Sequence, residues 1–105
     1  MIRERVYEGI YIFDIDSNGD NYESFKISKE HIQRKKIQNS NYRGGFDTER
    51  FSFEYLEISI ELTYSGFFGT ELRISENSSE SELSNVRQLA VETYKLIHSV
   101  DRDTL

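Results

Sequence analysis

The chain has 105 residues, with 13 basic and 19 acidic side chains, a net charge of −6 and no cysteine. That length leaves room for one domain with one core, and the lack of cysteine excludes disulfides and thiolate metal sites. The acidic balance argues against non-specific nucleic-acid binding through overall charge and favours encounter with a basic partner.

At the start of the chain, Arg3, Glu4, Arg5 and Glu8 interrupt the apolar run that a signal peptide needs. The longest apolar stretches are a few residues, far short of a membrane span, so a cytoplasmic protein without membrane contact is expected. Residues 6–15 (VYEGIYIFDI) are β-branched and aromatic, which predicts a strand. Asn18-Gly19 is a strong hairpin signal, because a type I′ turn needs positive φ at both central positions. With residues 21–27 as the returning strand, the predicted hairpin spans 6–27 and sets Asp14 opposite Glu23, Asp16 opposite Asn21 and Ile12 opposite Phe25.

Residues 28–50 are irregular and basic. Ser28 could cap a short helix over 29–38, or the strand could simply continue; Asn39-Ser40-Asn41 and Gly44-Gly45 are loop signals. Residues 51–75 form a second predicted hairpin. Its first arm is a long strand, 51–64, in which Phe51, Phe53 and Tyr55 alternate on one parity and Leu56, Ile58, Ile60, Leu62 and Tyr64 on the other. The switch predicts a β-bulge or bend at Tyr55–Leu56. Ser65-Gly66 and Gly69 bound a turn around Phe67 and Phe68, and 70–75 return.

A helix is predicted over 80–99. Ser79 and Glu82 have capping-box spacing, and Leu83, Val86, Ala90, Tyr94, Ile97 and Val100 recur at three- and four-residue steps. The chain, 1–105, is thus expected to be one α+β domain: an antiparallel sheet of about four to five strands packed against one C-terminal amphipathic helix.

No residue grouping names a reaction. Phosphate loops, nucleophile elbows and paired histidine ligands are absent, and His31 and His98 fall in different elements. No enzyme, catalytic residue, metal or cofactor is expected. Asp14-Ile15-Asp16-Ser17-Asn18-Gly19-Asp20 matches the first half of a calcium loop, but the twelfth position, which should be a bidentate Glu, is Phe25. Lys26, Lys29, Arg34, Lys35, Lys36, Arg43 and Arg50, interleaved with Tyr42 and Phe46, make residues 26–50 an alternative contact for single-stranded nucleic acid.

Small size, net acidity, the α+β pattern and acidic side chains on a hairpin and a strand face make the chain resemble the small acidic immunity proteins of bacterial toxin systems, those of contact-dependent inhibition included. The resemblance implies a protein-binding inhibitor that occludes the cationic active-site cleft of a cognate nuclease toxin; a phage-encoded inhibitor of a host defence nuclease would use the same logic. It rests on overall character, so no family residue carries over. The expected partner-binding residues are Asp14, Asp16, Asp20, Tyr22 and Glu23 on the first hairpin, with Glu57 and Glu61 as a second acidic patch on one strand face.

Overall fold

A computed structural model describes residues 2–103, with side chains through His98. The elements in chain order are β1 (Arg3–Tyr7), β2 (Ile10–Asp16), α1 (Tyr22–Gln33), β3 (Ile37–Gly44), β4 (Thr48–Tyr55), β5 (Ile58–Ser65), β6 (Gly69–Ser75) and α2 (Glu80–Asp103). The strands form a six-stranded sheet in the order β1-β2-β6-β5-β4-β3, with every pair antiparallel. The α+β class and the C-terminal helix are as expected. The sheet is larger than the four to five strands predicted, and a second helix is present.

The first predicted hairpin does not form. The chain reverses earlier, at Glu8-Gly9, where both residues have positive φ (48° and 82°) and Tyr7 pairs with Ile10. The arm read as one strand from residue 6 to 15 is therefore two strands. Asp14 lies opposite Arg3 and Glu71 instead of Glu23. Asn21 precedes α1 and residues 22–27 belong to it, not to a strand.

This helix escapes an apolar reading because serines occupy part of its buried side. Ser24, Phe25, Ser28 and Ile32 are buried, and the Ser28 hydroxyl is satisfied by donating to the Ser24 carbonyl (2.6 Å). The segment read as irregular, 28–50, consists of the end of α1, a connection at 34–36, the edge strand β3, a turn at 45–47 and the start of β4.

The expected bend at Tyr55–Leu56 is a complete reversal. Leu56 and Glu57 have φ of 52° and 66°, and Tyr55 pairs with Ile58. The single long strand is the β4–β5 hairpin. The β5–β6 hairpin and α2 stand where predicted, and the capping box forms: Ser79 N–H donates to Glu82 Oε1 (2.8 Å) and Glu82 N–H to Ser79 Oγ (3.2 Å). The helix continues past residue 99 to Asp103, and the Val100 side chain lies outside the described residues.

Both helices cover one face of the sheet. Phe13 and Ile15 from β2, Phe51 and Phe53 from β4, Ile60 and Leu62 from β5, and Leu72 and Ile74 from β6 point into this layer. Phe25 and Ile32 of α1 meet them, as do Val86, Leu89, Ala90 and Ile97 of α2. Each large apolar side chain buried here contributes about 1.5–3 kcal/mol. Arg87 ties α2 to the edge strand β1 through a two-pronged pair with Glu4 (2.7 and 2.8 Å), and Lys35 after α1 bonds Glu92 of α2 at 2.7 Å.

Candidate docking surface at the loop end of the sheet

The antiparallel register sorts the turns to two ends of the sheet. Glu8-Gly9 and Leu56-Glu57 lie at one end. The β2–α1 loop (17–21), the β3–β4 turn (45–47) and the β5–β6 turn (66–68) converge at the other.

The β2–α1 loop is organised by Asp16. Its carboxylate accepts from the Asn18 N–H (3.0 Å), the Asn21 Nδ2 (2.9 Å) and the Ser24 hydroxyl, while Asn18 Oδ1 accepts from the Asp20 N–H at 2.9 Å. These local bonds turn Asp-Ser-Asn-Gly-Asp into a helix entry rather than a hairpin. The loop then packs onto its neighbour. The Tyr64 hydroxyl donates to the Gly19 carbonyl, and a Cβ added at Gly19 would collide with the Gly66 carbonyl.

Three phenylalanines stand out from this end. Phe46 is 101% exposed, Phe67 86% and Phe68 55%. Beside Phe46 and Phe67 lies a cleft also lined by Tyr22, Asp47, Glu49 and Tyr64. Its rings are held in place: Tyr22 and Tyr64 meet edge to face at 5.2 Å, and Tyr22 stacks on buried Phe25 at 5.9 Å. The Tyr42 hydroxyl donates to Glu49 Oε1, and the Lys29 ammonium lies 4.1 Å from the centre of the Tyr42 ring. Hydrogen bonding to the Glu49 carboxylate holds the proton on both Tyr22 and Tyr42 and raises their pKa, with burial and the carboxylate's charge adding to the shift.

The expected site residues separate into three places. Asp16, Asp20, Tyr22 and Glu23 do come together at the loop end; Asp20 and Glu23 are exposed, and Glu23 pairs with Lys26 at 3.3 Å. Asp14 does not join them. It is 8% exposed, on the helix-free face of the sheet, between Arg3 (2.9 Å) and Arg5 (3.3 Å). The two aspartates that begin the calcium-loop match are thus committed to different partners. Glu57 and Glu61 share no patch: Glu57 lies in the turn at the far end, and Glu61 is half-buried on the open face beside Arg50 (3.6 Å). Phe67, Phe68, Glu49 and Tyr64 were not expected as site residues, and Phe46 only as part of the alternative nucleic-acid contact. Their signal was large aromatics in Gly-flanked turns (Gly45-Phe46, Gly66-Phe67-Phe68-Gly69), where no core position is within reach.

The open face carries a lattice of alternating charge. Glu71, only 1% exposed, accepts from Arg5 and from Arg73 (Nε 3.0 Å, Nη2 2.8 Å); Arg5 also reaches Asp14. The basic residues of segment 26–50 do not pool into one patch. Lys35 pairs with Glu92, Lys29 lies over Tyr42, and Arg50 is on the opposite face.

Comparison with protein-family models, curated proteins and solved structures gives no match. Among the described residues, no helix is long and apolar enough to cross a membrane.

Proposed function

We propose that this chain is a protein-binding inhibitor that docks through the loop end of its sheet, in the manner of an immunity protein that occludes the cationic cleft of a nuclease toxin. The observation that carries the reading is the trio Phe46, Phe67 and Phe68, exposed on two adjacent turns of one end. Clustered exposed aromatics leave apolar surface in water and are the residue type that anchors protein interfaces. Asp47 and Glu49 line the cleft beside Phe46 and Phe67, and Asp20 and Glu23 lie on the same end, while on the open-face side Phe67 and Phe68 adjoin Arg43, Arg50 and Arg73 and Phe68 lies under Arg5. Carboxylates around an aromatic centre favour a basic partner, speeding encounter by steering while the rings slow dissociation. A nuclease cleft must be cationic to hold phosphates, so it fits that description.

Calorimetric titration against the protein encoded beside this chain tests the reading. The wild type is expected to bind stoichiometrically. The Phe46→Ala/Phe67→Ala double variant is expected to bind at least about tenfold more weakly, equivalent to about 1.4 kcal/mol, with an unchanged folded-state spectrum. Equal affinity of variant and wild type would remove the loop end as the docking surface.

A further inference from the structure

We propose that the loop end is self-complementary, and that two copies of this chain pair through it about a two-fold axis. Pairing of copies does not depend on the docking reading above. It uses the same surface, so a second copy and a partner exclude one another.

The turns at 45–47 and 66–68 form a ridge between two flanks of opposite charge. Phe67 stands on the divide and lines the depressions on both sides; Phe46 belongs to the helix-side depression and Phe68 to the open-face one. On the helix side, exposed Asp47 lines the depression and Asp20 is exposed in the neighbouring loop. Among the described residues, neither carboxylate pairs with a cation, whereas Glu23 has Lys26 and Glu49 has the Tyr42 hydroxyl.

The open-face depression is lined instead by Arg43, Arg50 and Arg73. Arg73 is committed to Glu71. Arg43 and Arg50 stand directly opposite each other in the β3–β4 register, and like charges so placed repel. Among the described residues, Arg43 pairs with no carboxylate, and Arg50 comes no nearer than 3.6 Å to Glu61.

The single chain thus leaves apolar rings in water, two carboxylates without cations and two guanidiniums without a close anion, all at one end. A second copy of the same surface answers each of these. A two-fold interface sets residue i against j and j against i. With the axis running along the ridge, the acidic flank of each copy faces the basic flank of the other, and the phenylalanines meet between them. With the axis across the ridge, acid would face acid and base would face base, so charge selects the first arrangement. Arg43 and Asp47 flank the same β3–β4 turn, so their reciprocal contacts lie close on either side of the axis.

Sedimentation equilibrium of the purified full chain tests this, from about 1 µM to about 1 mM, the range in which small interfaces associate. The average mass is expected to rise with concentration from 12.4 kDa towards twice that value, and to rise less at high salt. Arg43→Asp and Asp47→Arg each set like charges at both contacts, and each is expected to weaken self-association at least about fivefold. Mixed in equal amounts, the two variants regain opposite charges at both contacts, and the mixture is expected to associate to within about twofold of the wild type. Phe67→Ala should weaken association about tenfold. All three positions are exposed, so folding is not at stake. A mass that stays at 12.4 kDa throughout would overturn the pairing. Self-association that neither reversal weakens, or that the mixture does not restore, would also overturn it. Self-association by a chain that ignores its neighbour's product would leave the pairing standing and reject the docking reading. A strictly monomeric chain that binds that product would do the reverse.

Discussion

Asp14 and Glu71 show how a carboxylate can be present in an acidic protein and yet be withdrawn from its surface. Both sit on the helix-free face of the sheet: Asp14 is covered by Arg3 and Arg5 of β1, and Glu71 by Arg5 and by Arg73 of its own strand. Removing one partner of such a pair costs more than the pair itself contributes, because the partners left behind lose their counter-charge. Glu71→Ala is expected to destabilise by about 3 kcal/mol, at the low end for a buried pair because Arg5 and Arg73 keep over a quarter of their surface in water. Urea denaturation measures this, and the variant should still bind its partner once folded. The Glu4–Arg87 pair gives a pH prediction. Arg87 holds the Glu4 carboxyl below its ordinary value. A folded pKa below the unfolded one, about 4.3, means that the pair's stabilisation is complete above that value and is lost as pH falls through the folded pKa. Half-exposed Arg87 limits it to roughly 0.5–1 kcal/mol. Glu4→Gln should therefore lower stability at pH 7 by that amount and leave it unchanged near pH 2, as read from denaturation midpoints at the two pH values.

At the scale of elements, α2 and the β5–β6 hairpin were legible because their signals agree: a capping box with a three-four stripe, and glycines bounding a turn between alternating strands. The β4–β5 hairpin was half legible. A parity switch marks either a bulge or a two-residue reversal, since pairing residue i with i+3 also places opposite parities on one face. Phe53 facing Ile60, and Tyr55 facing Ile58, show that the reversal wins. Leu56-Glu57 hides it, because neither residue favours positive φ and pairing of the flanking strands imposes the turn. Each such residue costs about 1–2 kcal/mol. Replacing Leu56-Glu57 by Asn-Gly should relieve part of that cost and raise stability by about 1–2 kcal/mol, visible as a higher urea midpoint at constant slope. The reverse error fell on Asn18-Gly19. That dipeptide normally dictates a hairpin, but Asp16 and Asn18 supply side-chain acceptors that start α1 instead. Of the expected site, Asp16, Asp20, Tyr22 and Glu23 stayed together because they are close in sequence. Asp14, two residues away, would share a face with Asp16 in a regular strand; the register shift between them leaves it on the opposite face of β2. Phe46, Glu49 and Phe67 join the site only through the register of β3 to β6, which no local pattern discloses.

Over the whole molecule, one covered face and one charged face leave the two ends to differ in character. The helix face is committed to the core. On the open face, carboxylates and guanidiniums largely neutralise one another, from Arg3 and Arg5 through Asp14, Glu71 and Arg73 to Glu61 and Arg50. The sheet's edges are guarded, β1 by Arg3 and Arg5 and β3 by the irregularity between Gln38 and Asn41 and by Arg43. The loop end is where exposed aromatics coincide with the acidic residues Asp20 and Asp47, which is why docking is assigned there. Amide hydrogen exchange on the complex with the neighbouring gene's product tests that assignment most directly. The account predicts new protection confined to residues 17–22, 45–49 and 66–69, with the turn at Leu56-Glu57 and the open face unchanged. Protection centred on the open face or at Leu56-Glu57, with the loop end still exchanging freely, would contradict it.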